Sequence, residues 1–150
     1  MSIPGARERV AITELLARGA WALDTGDAAG FARCFAADAE LVDYGVEPAE
    51  SARGRDEIGA FAARRHAEAG FRRQHHFGQI VFESEGLSRV DRWRLCTYVF
   101  VVECRPEPPH AVAWAGYYAD VVLLAGTEWR LRTRHIRPWA GPVLARFESP

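Results

Sequence analysis

Four long segments with the residue pattern of β-strands occupy the second half of the chain and largely dictate its fold class. They are separated by a Ser-Glu-Gly-Leu turn signal, by a proline-rich loop and by an Ala-Gly-Thr turn. Consecutive long strands that are joined by short turns pair in antiparallel fashion. The sequence therefore predicts an antiparallel sheet built from strands over 71–83, 88–104, 110–124 and 128–137.

The first half has the residue spacing of amphipathic helices. Apolar residues recur at helical intervals over 9–23, and Asp27 is placed to cap a second helix over 28–37. A short strand over 40–44 and a third helix over 56–69 complete this half. Helices that precede a strand-rich region predict an α+β protein in which the helices pack on one face of the sheet.

The length of 150 residues is that of one domain. We place this domain over 1–150, with a core at about 7–139 and a C-terminal tail over 140–150. The N-terminus lacks the apolar core of a signal peptide, and no apolar run approaches the roughly 20 residues of a membrane span. We therefore expect a cytoplasmic protein without a membrane partner.

Composition excludes several kinds of chemistry. All 19 cationic residues are arginines, and the chain contains neither lysine nor asparagine. A lysine Schiff base and a Walker-type phosphate loop are therefore impossible. The net charge of −1 argues against nucleic acid as a partner, and the three cysteines form no CxxC pair. We expect neither a metal nor a cofactor.

Five short motifs follow one another along the chain: Leu23-Asp24-x-x-Asp27, Val42-Asp43-Tyr44, Arg72-Arg73-Gln74-His75, Gly116-Tyr117-Tyr118-Ala119-Asp120 and Gly126-x-x-Trp129-x-Leu131-x-x-Arg134. Their order resembles the SnoaL-like branch of the NTF2-like (cystatin-like) superfamily, and within it the pattern of scytalone dehydratase and the bile-acid 7α-dehydratases. The resemblance implies a cone in which a strongly curved, mostly antiparallel sheet wraps over the three helices of the N-terminal half and encloses a pocket.

The resemblance also implies an active site in that pocket. The family's catalytic aspartate falls on Asp24, its histidine on His75 and a tyrosine on the substrate side on Tyr44. Where the family often has a tyrosine before the aspartate, this chain has Gly19, and we expect Trp21 to fill the space. A second catalytic histidine, which scytalone dehydratase carries on the strand over 88–104, has no equivalent in this sequence.

Strand alternation predicts which side chains share a face. His75, Phe77, Gln79 and Val81 form one face and His76 belongs to the other, so one of the two adjacent histidines must face the concave side. Gln79 stands where the family often has asparagine. On later strands, Arg130, Arg132 and Arg134 alternate onto one face, and Arg134 and Arg137 are candidates to hold a substrate carboxylate. Candidate substrate-binding residues are Tyr118, Trp21, Tyr98, Gln79, His76 and Trp114.

The candidate residues suit acid–base chemistry. A histidine, with an ordinary pKa near 6.5, can remove a proton beside a carbonyl and protonate a leaving hydroxyl. We expect a cofactor-independent dehydratase, isomerase or polyketide cyclase that acts on a small hydrophobic, oxygenated cyclic molecule. The alternative is a non-catalytic ligand-binding or assembly module, since a fold does not fix a function. The resemblance implies a homodimer through the sheet under either hypothesis.

Overall fold

The fold is described from a computed structural model that defines residues 3–69, 72–84 and 91–140. Most of the turn predicted at 84–87, the start of the strand predicted at 88 and the tail beyond residue 140 fall outside these ranges. In chain order the elements are α1 (Ala6–Thr25), α2 (Ala28–Arg33), β1 (Phe35–Asp43), β2 (Glu50–Arg53), α3 (Gly54–Glu68), β3 (Arg72–Ser84), β4 (Arg92–Cys104), β5 (Ala111–Ala125) and β6 (Glu128–Pro138).

The strands form a six-stranded sheet in the order β2-β1-β6-β5-β4-β3. Neighbouring strands are antiparallel except β1 and β6, which run parallel. In sequence, β1 and β6 are separated by β2, α3 and the strands β3, β4 and β5. Long strands of this kind twist, and the sheet curves around the helices. The predicted α+β class and the mostly antiparallel sheet are confirmed.

The hydrophobic core fills the space between the inner face of the sheet and the three helices. Burial alternates along β4, where Trp93, Leu95 and Val99 point inward while their neighbours are more exposed. This period of two is what a sheet with one covered face requires. The fully buried side chains that meet them are Ile12, Leu16, Phe31, Phe35, Leu41, Ile58, Val122 and Leu131.

The ends of α1 are fixed by local interactions. The backbone N–H of Gly5 donates to the Glu8 carboxylate, with a nitrogen–oxygen distance of 2.7 Å. At the other end, Gly26 adopts the left-handed conformation (φ 78°), which glycine tolerates better than other residues. Asp27 then accepts from the Gly30 N–H at 2.8 Å and begins α2, as the sequence predicts. Among the described residues, no helix is long and apolar enough to cross a membrane.

Two elements differ from the prediction. Helix α2 ends at Arg33 instead of continuing to Ala37, because the chain from Phe35 onward finds a partner strand in β6. The first ladder contact is a hydrogen bond from the Leu131 N–H to the Cys34 carbonyl at 2.9 Å. Strand β2 is absent from the prediction, since its four residues carry no strong alternation and pair only with β1.

A bulge in β3 overturns the predicted alternation on that strand. The register of β3 against β4 shifts between Phe77 and Ile80, and an extra residue inverts the faces beyond it. His75 and Phe77 are partly buried, as is Ile80, whereas Gln79 is exposed. The prediction that Gln79 shares the face of His75 is therefore wrong.

A second register shift, in β6, determines which of its arginines is buried. The pairing of β6 with β5 shifts by one residue between Leu131 and Thr133. Beyond this point the side chains that face inward are those with even residue numbers instead of odd ones. Arg134 is buried at 2% exposure, whereas Arg130 and Arg132 are only partly buried. The prediction that these three arginines share one face is wrong for the same reason as in β3.

Replacing either of two glycines by alanine is expected to change the free energy of unfolding, in opposite directions. A Cβ on Gly116 would overlap the Arg137 carbonyl oxygen and the Trp114 ring, whereas one on Gly59 in α3 would make ordinary contact, 3.6 Å from Ala32. We expect Gly116→Ala to lower the free energy of unfolding by about 1–3 kcal/mol. Gly59→Ala should raise it by about 0.5–1 kcal/mol, since alanine favours helix. Urea denaturation tests both, and equal effects would contradict the packing described.

Candidate active site

A cavity of about 1260 Å³ lies between α1, α3 and the inner face of the sheet. Part of its lining is exposed, including Arg72, Arg73 and Gln74 at the start of β3, so this side is its mouth. Deeper in the cavity the wall is apolar and aromatic with a few polar groups. Those polar groups are Asp24, Asp43, Arg65, His75 and Tyr118.

Asp24 and His75 are in direct contact inside this cavity. Asp24 belongs to the last turn of α1, and His75 to the first part of β3, which packs against that helix. One carboxylate oxygen lies 2.6 Å from His75 Nδ1, and the other accepts from the backbone N–H of His75 at 2.9 Å. The two side chains are 16% and 15% exposed. Both oxygens of Asp24 therefore orient the same histidine.

This contact determines how the ring is protonated. A carboxylate only accepts hydrogen bonds, so Nδ1 of His75 donates, and a neutral ring keeps its lone pair on Nε2. No described residue hydrogen bonds to that nitrogen. The arrangement is that of a base whose orientation is fixed by an aspartate, which also stabilises the imidazolium when the ring takes a proton.

Aromatic side chains form the wall beside this pair. Tyr118 is 4% exposed, and its ring centroid lies 5.9 Å from that of Phe77 and 6.4 Å from that of Trp114. Burial raises the pKa of Tyr118 well above its usual range. The positive charge of Arg134 lowers this pKa but does not offset the effect of burial. The phenol therefore keeps its proton at neutral pH and can act as a hydrogen-bond donor.

A buried ion pair between Arg134 and Asp120 contacts the ring of Tyr118. Arg134 donates to both oxygens of Asp120, at 2.9 and 2.7 Å, and both side chains are almost fully buried. Burial lowers the pKa of Arg134, but the charge of Asp120 and its hydrogen bonds outweigh this and raise it, so the guanidinium stays charged. Its central carbon lies 4.3 Å from the centroid of the Tyr118 ring, a cation–π contact.

Asp43, and not Tyr44, is the residue at the end of β1 that lines the cavity. Asp43 is 8% exposed and accepts from Arg65 at 2.9 Å and from the Gly45 N–H at 2.7 Å. Arg65 reaches it from α3 and also bonds Glu50 at 3.1 Å. Asp43 was not among the site residues predicted from the sequence, although alternation required one member of the Asp-Tyr pair to face inward.

Tyr44 therefore does not occupy the position expected from the resemblance. Its ring packs edge-on against His135, with 5.6 Å between centroids, and lies under the Arg137 guanidinium at 4.3 Å. Burial lowers the pKa of His135, and the Arg137 charge acts in the same direction, so the Tyr44 ring contacts a neutral imidazole. Tyr44 is 39% exposed and lies outside the cavity lining.

The remaining candidates divide between the cavity and the outer face of the sheet. Trp114 lines the cavity, and Trp21 lies on its rim with 71% of its surface exposed. His76 borders the mouth but stacks on Phe100, with 5.0 Å between ring centroids, on the opposite face of β3 from His75. Tyr98 points away from the cavity and packs against Trp139, which corrects its assignment as a wall.

Of the three cysteines, Cys104 borders the cavity, whereas Cys34 and Cys96 do not. Burial raises the pKa of Cys34, and raises that of Cys96 to about 11, so neither thiol is a ready nucleophile. Across residues 3–69, 72–84 and 91–140, no group of three or more His, Cys, Asp and Glu side chains could hold a metal ion. The Asp24–His75 pair is suited to proton transfer.

Comparisons with known proteins agree with this architecture. A family profile described as the SnoaL-like domain matches residues 5–135. No curated protein gives a significant match.

Solved structures match the whole fold at low sequence identity. An NTF2-like protein with a cystatin-like fold from Novosphingobium aromaticivorans superposes with a TM-score of 0.78 at 22% identity, covering 94% of this chain and 90% of that one. A provisionally assigned scytalone dehydratase from the same species gives 0.72 at 20%, covering 89% and 85%. A Catenulispora acidiphila protein in complex with S-DNPA gives 0.74 at 20%, covering 87% and 92%.

Proposed function

This chain belongs to the SnoaL-like family, which includes polyketide cyclases and dehydratases, and on that basis we propose that it is a cofactor-independent acid–base enzyme. Its reaction would be a dehydration, or a related isomerisation or cyclisation, of a hydrophobic oxygenated cyclic molecule. The observation that carries this proposal is the 2.6 Å contact between Asp24 and His75 inside a cavity of about 1260 Å³.

The proposed dehydration needs three groups. Nε2 of His75 removes a proton from the carbon beside the substrate carbonyl, and the electrons of that C–H bond form an enolate. The Tyr118 hydroxyl donates a hydrogen bond to the enolate oxygen. As the enolate collapses, the hydroxyl on the next carbon leaves with the proton that His75 now carries, which releases water and an unsaturated ketone.

The cavity favours this proposal over an assembly module. A module that serves only to assemble a larger complex has no need of an internal space, and its cone could be filled by side chains. Here the space holds a carboxylate-oriented histidine beside a buried phenol. Convergent polar groups in an otherwise apolar pocket are typical of a site that binds a small molecule.

A simple β-hydroxy ketone tests the proposal. Loss of water from 3-hydroxy-1-tetralone gives 1-naphthol, whose fluorescence reports the reaction continuously. We expect the native protein to accelerate this elimination over the heat-denatured protein, and to exchange the C2 protons of 1-tetralone with deuterium in D2O. Failure of both reactions would contradict acid–base catalysis at this site.

We also propose that two copies of the chain associate through the outer face of the sheet. Val81, Tyr98, Phe100, Val112 and Trp139 lie on this face and are each 40–63% exposed. An apolar patch of this kind typically marks an interface, and a symmetric dimer would bury it on both copies.

Phe100→Glu should convert the dimer into a monomer, because it would place two carboxylates in an apolar interface. Sedimentation velocity measures the change. Val10→Glu is the matched control, since Val10 is exposed on α1, away from the sheet face. A monomeric native protein, or a dimer that persists in Phe100→Glu, would exclude this interface.

A further inference from the structure

Two arginines at the mouth of the cavity have no acidic partner among the residues that the structure describes. Arg72 and Arg73 both line the cavity and are exposed at the start of β3. No described residue forms a hydrogen bond or an ion pair with either of them. They differ in this respect from most other arginines of the chain, which bond carboxylates or backbone carbonyls.

The other charges that line the cavity are already compensated. Arg65 bonds Asp43 and Glu50, and Asp24 holds His75. Glu103, which stands opposite Arg73 in the β3–β4 ladder, forms an ion pair with Arg105 at 3.4 Å. Within residues 3–69, 72–84 and 91–140, the mouth therefore carries two uncompensated positive charges, in a protein whose formal net charge is −1.

We propose that the substrate of this enzyme is a carboxylic acid, whose carboxylate is bound at the mouth of the cavity by Arg73, on the face of β3 that carries His75, with the adjacent Arg72 adding positive charge at the rim. The inference rests on the proposed function and specifies its substrate class. A guanidinium offers paired N–H donors that match the two oxygens of a carboxylate, and such charge-assisted hydrogen bonds are among the stronger ones.

The charges also fix how such a substrate lies. Asp24 at the inner end would repel a carboxylate, so the acid group points to the mouth and the ring system points inward. Arg73 and His75 are two residues apart and on the same side of the bulge in β3, which places their Cα atoms about 7 Å from one another along the strand. A carboxylate bound by Arg73 is therefore separated from the reacting carbon by roughly the width of one or two rings.

The arginines that the sequence suggested for this role are occupied elsewhere. Arg134 is buried against Asp120, and Arg137 lies over Tyr44 outside the cavity. The bulge in β6 turns Arg134 into the protein interior. Arg137 packs on the ring of Tyr44, which lies outside the cavity. A carboxylate site therefore needs the arginines of β3, which sequence analysis used only as part of a motif.

A matched pair of probes tests the inference by calorimetry at low salt. 2-Naphthylacetate carries the carboxylate, and 2-naphthylacetamide has the same rings without the charge. We expect the native protein to bind the acid about tenfold more tightly than the amide. In Arg72→Gln/Arg73→Gln the two affinities should agree within about twofold, with the amide bound as in the native protein.

The control is Arg7→Gln/Arg33→Gln, which removes the same total charge from exposed positions on α1 and α2, away from the cavity. This variant should keep the preference for the acid. Equal binding of the two probes by the native protein, no binding of either, or a preference that survives in Arg72→Gln/Arg73→Gln would overturn the inference. The experiment needs no turnover, so an acid preference in a protein without dehydratase activity would remove the proposed reaction and leave the carboxylate site.

Discussion

His75→Ala is expected to lower kcat/KM for the conversion of 3-hydroxy-1-tetralone to 1-naphthol by about 10²- to 10⁴-fold. The substitution removes the group that takes the proton from carbon and returns it to the leaving hydroxyl. Asp24 remains but is separated from the substrate by the space that the ring had filled. Initial rates of 1-naphthol fluorescence measure the loss.

Added imidazole should restore part of the rate, because the vacated space lies next to the Asp24 carboxylate that orients the native ring. His110→Ala is the matched control, since His110 is an exposed histidine outside the cavity lining. Circular dichroism should give the same spectrum for all three proteins. Retention of activity within about threefold by His75→Ala would rule out His75 as the base.

Asp24→Asn removes the negative charge beside His75 and one of the two oxygens that orient the ring. Asparagine has a single oxygen acceptor, so it cannot accept from both the Nδ1–H and the backbone N–H of His75, and it cannot stabilise the positive ring that forms during the reaction. We expect a loss of about 10²-fold, smaller than that of His75→Ala, with KM nearly unchanged. An equal loss in both variants would indicate that the two residues act only as a unit.

Asp120→Ala is expected to lower the free energy of unfolding by about 3–5 kcal/mol, because it leaves the Arg134 guanidinium charged and buried without its partner. For a protein of this length that is a fall in Tm of about 10 °C or more. Differential scanning calorimetry and urea denaturation measure it. Activity should also fall, since Arg134 contacts the ring of Tyr118.

Replacing both members of the pair should be far less harmful. Asp120→Leu/Arg134→Met leaves no unpaired charge, and buried ion pairs can often be exchanged for apolar residues of similar volume with little cost. We expect this double variant to recover most of the stability lost in Asp120→Ala. A double variant as unstable as the single one would mean that the loss comes from packing and not from an unpaired charge.

The sequence was sufficient for most secondary elements because their patterns are long. The strands from β3 to β6 are each eleven or more residues long, and α1 has 20 residues. Short elements were less predictable. Strand β2 has four residues and owes its existence to β1, while α2 ends where β6 offers Cys34 and Phe35 a partner.

The candidate site was partly predictable. The family resemblance assigned Asp24 and His75 to the active site, and in the fold the two side chains are in contact. Gln79 was misplaced because face assignment by alternation fails where the register changes, and Tyr44 was misplaced because it was assigned from the resemblance. A bulge in β3 turns Gln79 outward, and the way β1 ends brings Asp43 to the cavity and leaves Tyr44 outside.

By itself the sequence determined the α+β class, the mostly antiparallel sheet and the absence of lysine chemistry, since these depend on local periodicity and composition. Only the tertiary structure decided which of two adjacent histidines meets Asp24, which arginine is buried and which two arginines at the cavity mouth have no partner among the described residues. The physical reason is that a single extra residue in a strand inverts every side chain beyond it, and the position of that residue depends on the partner strand.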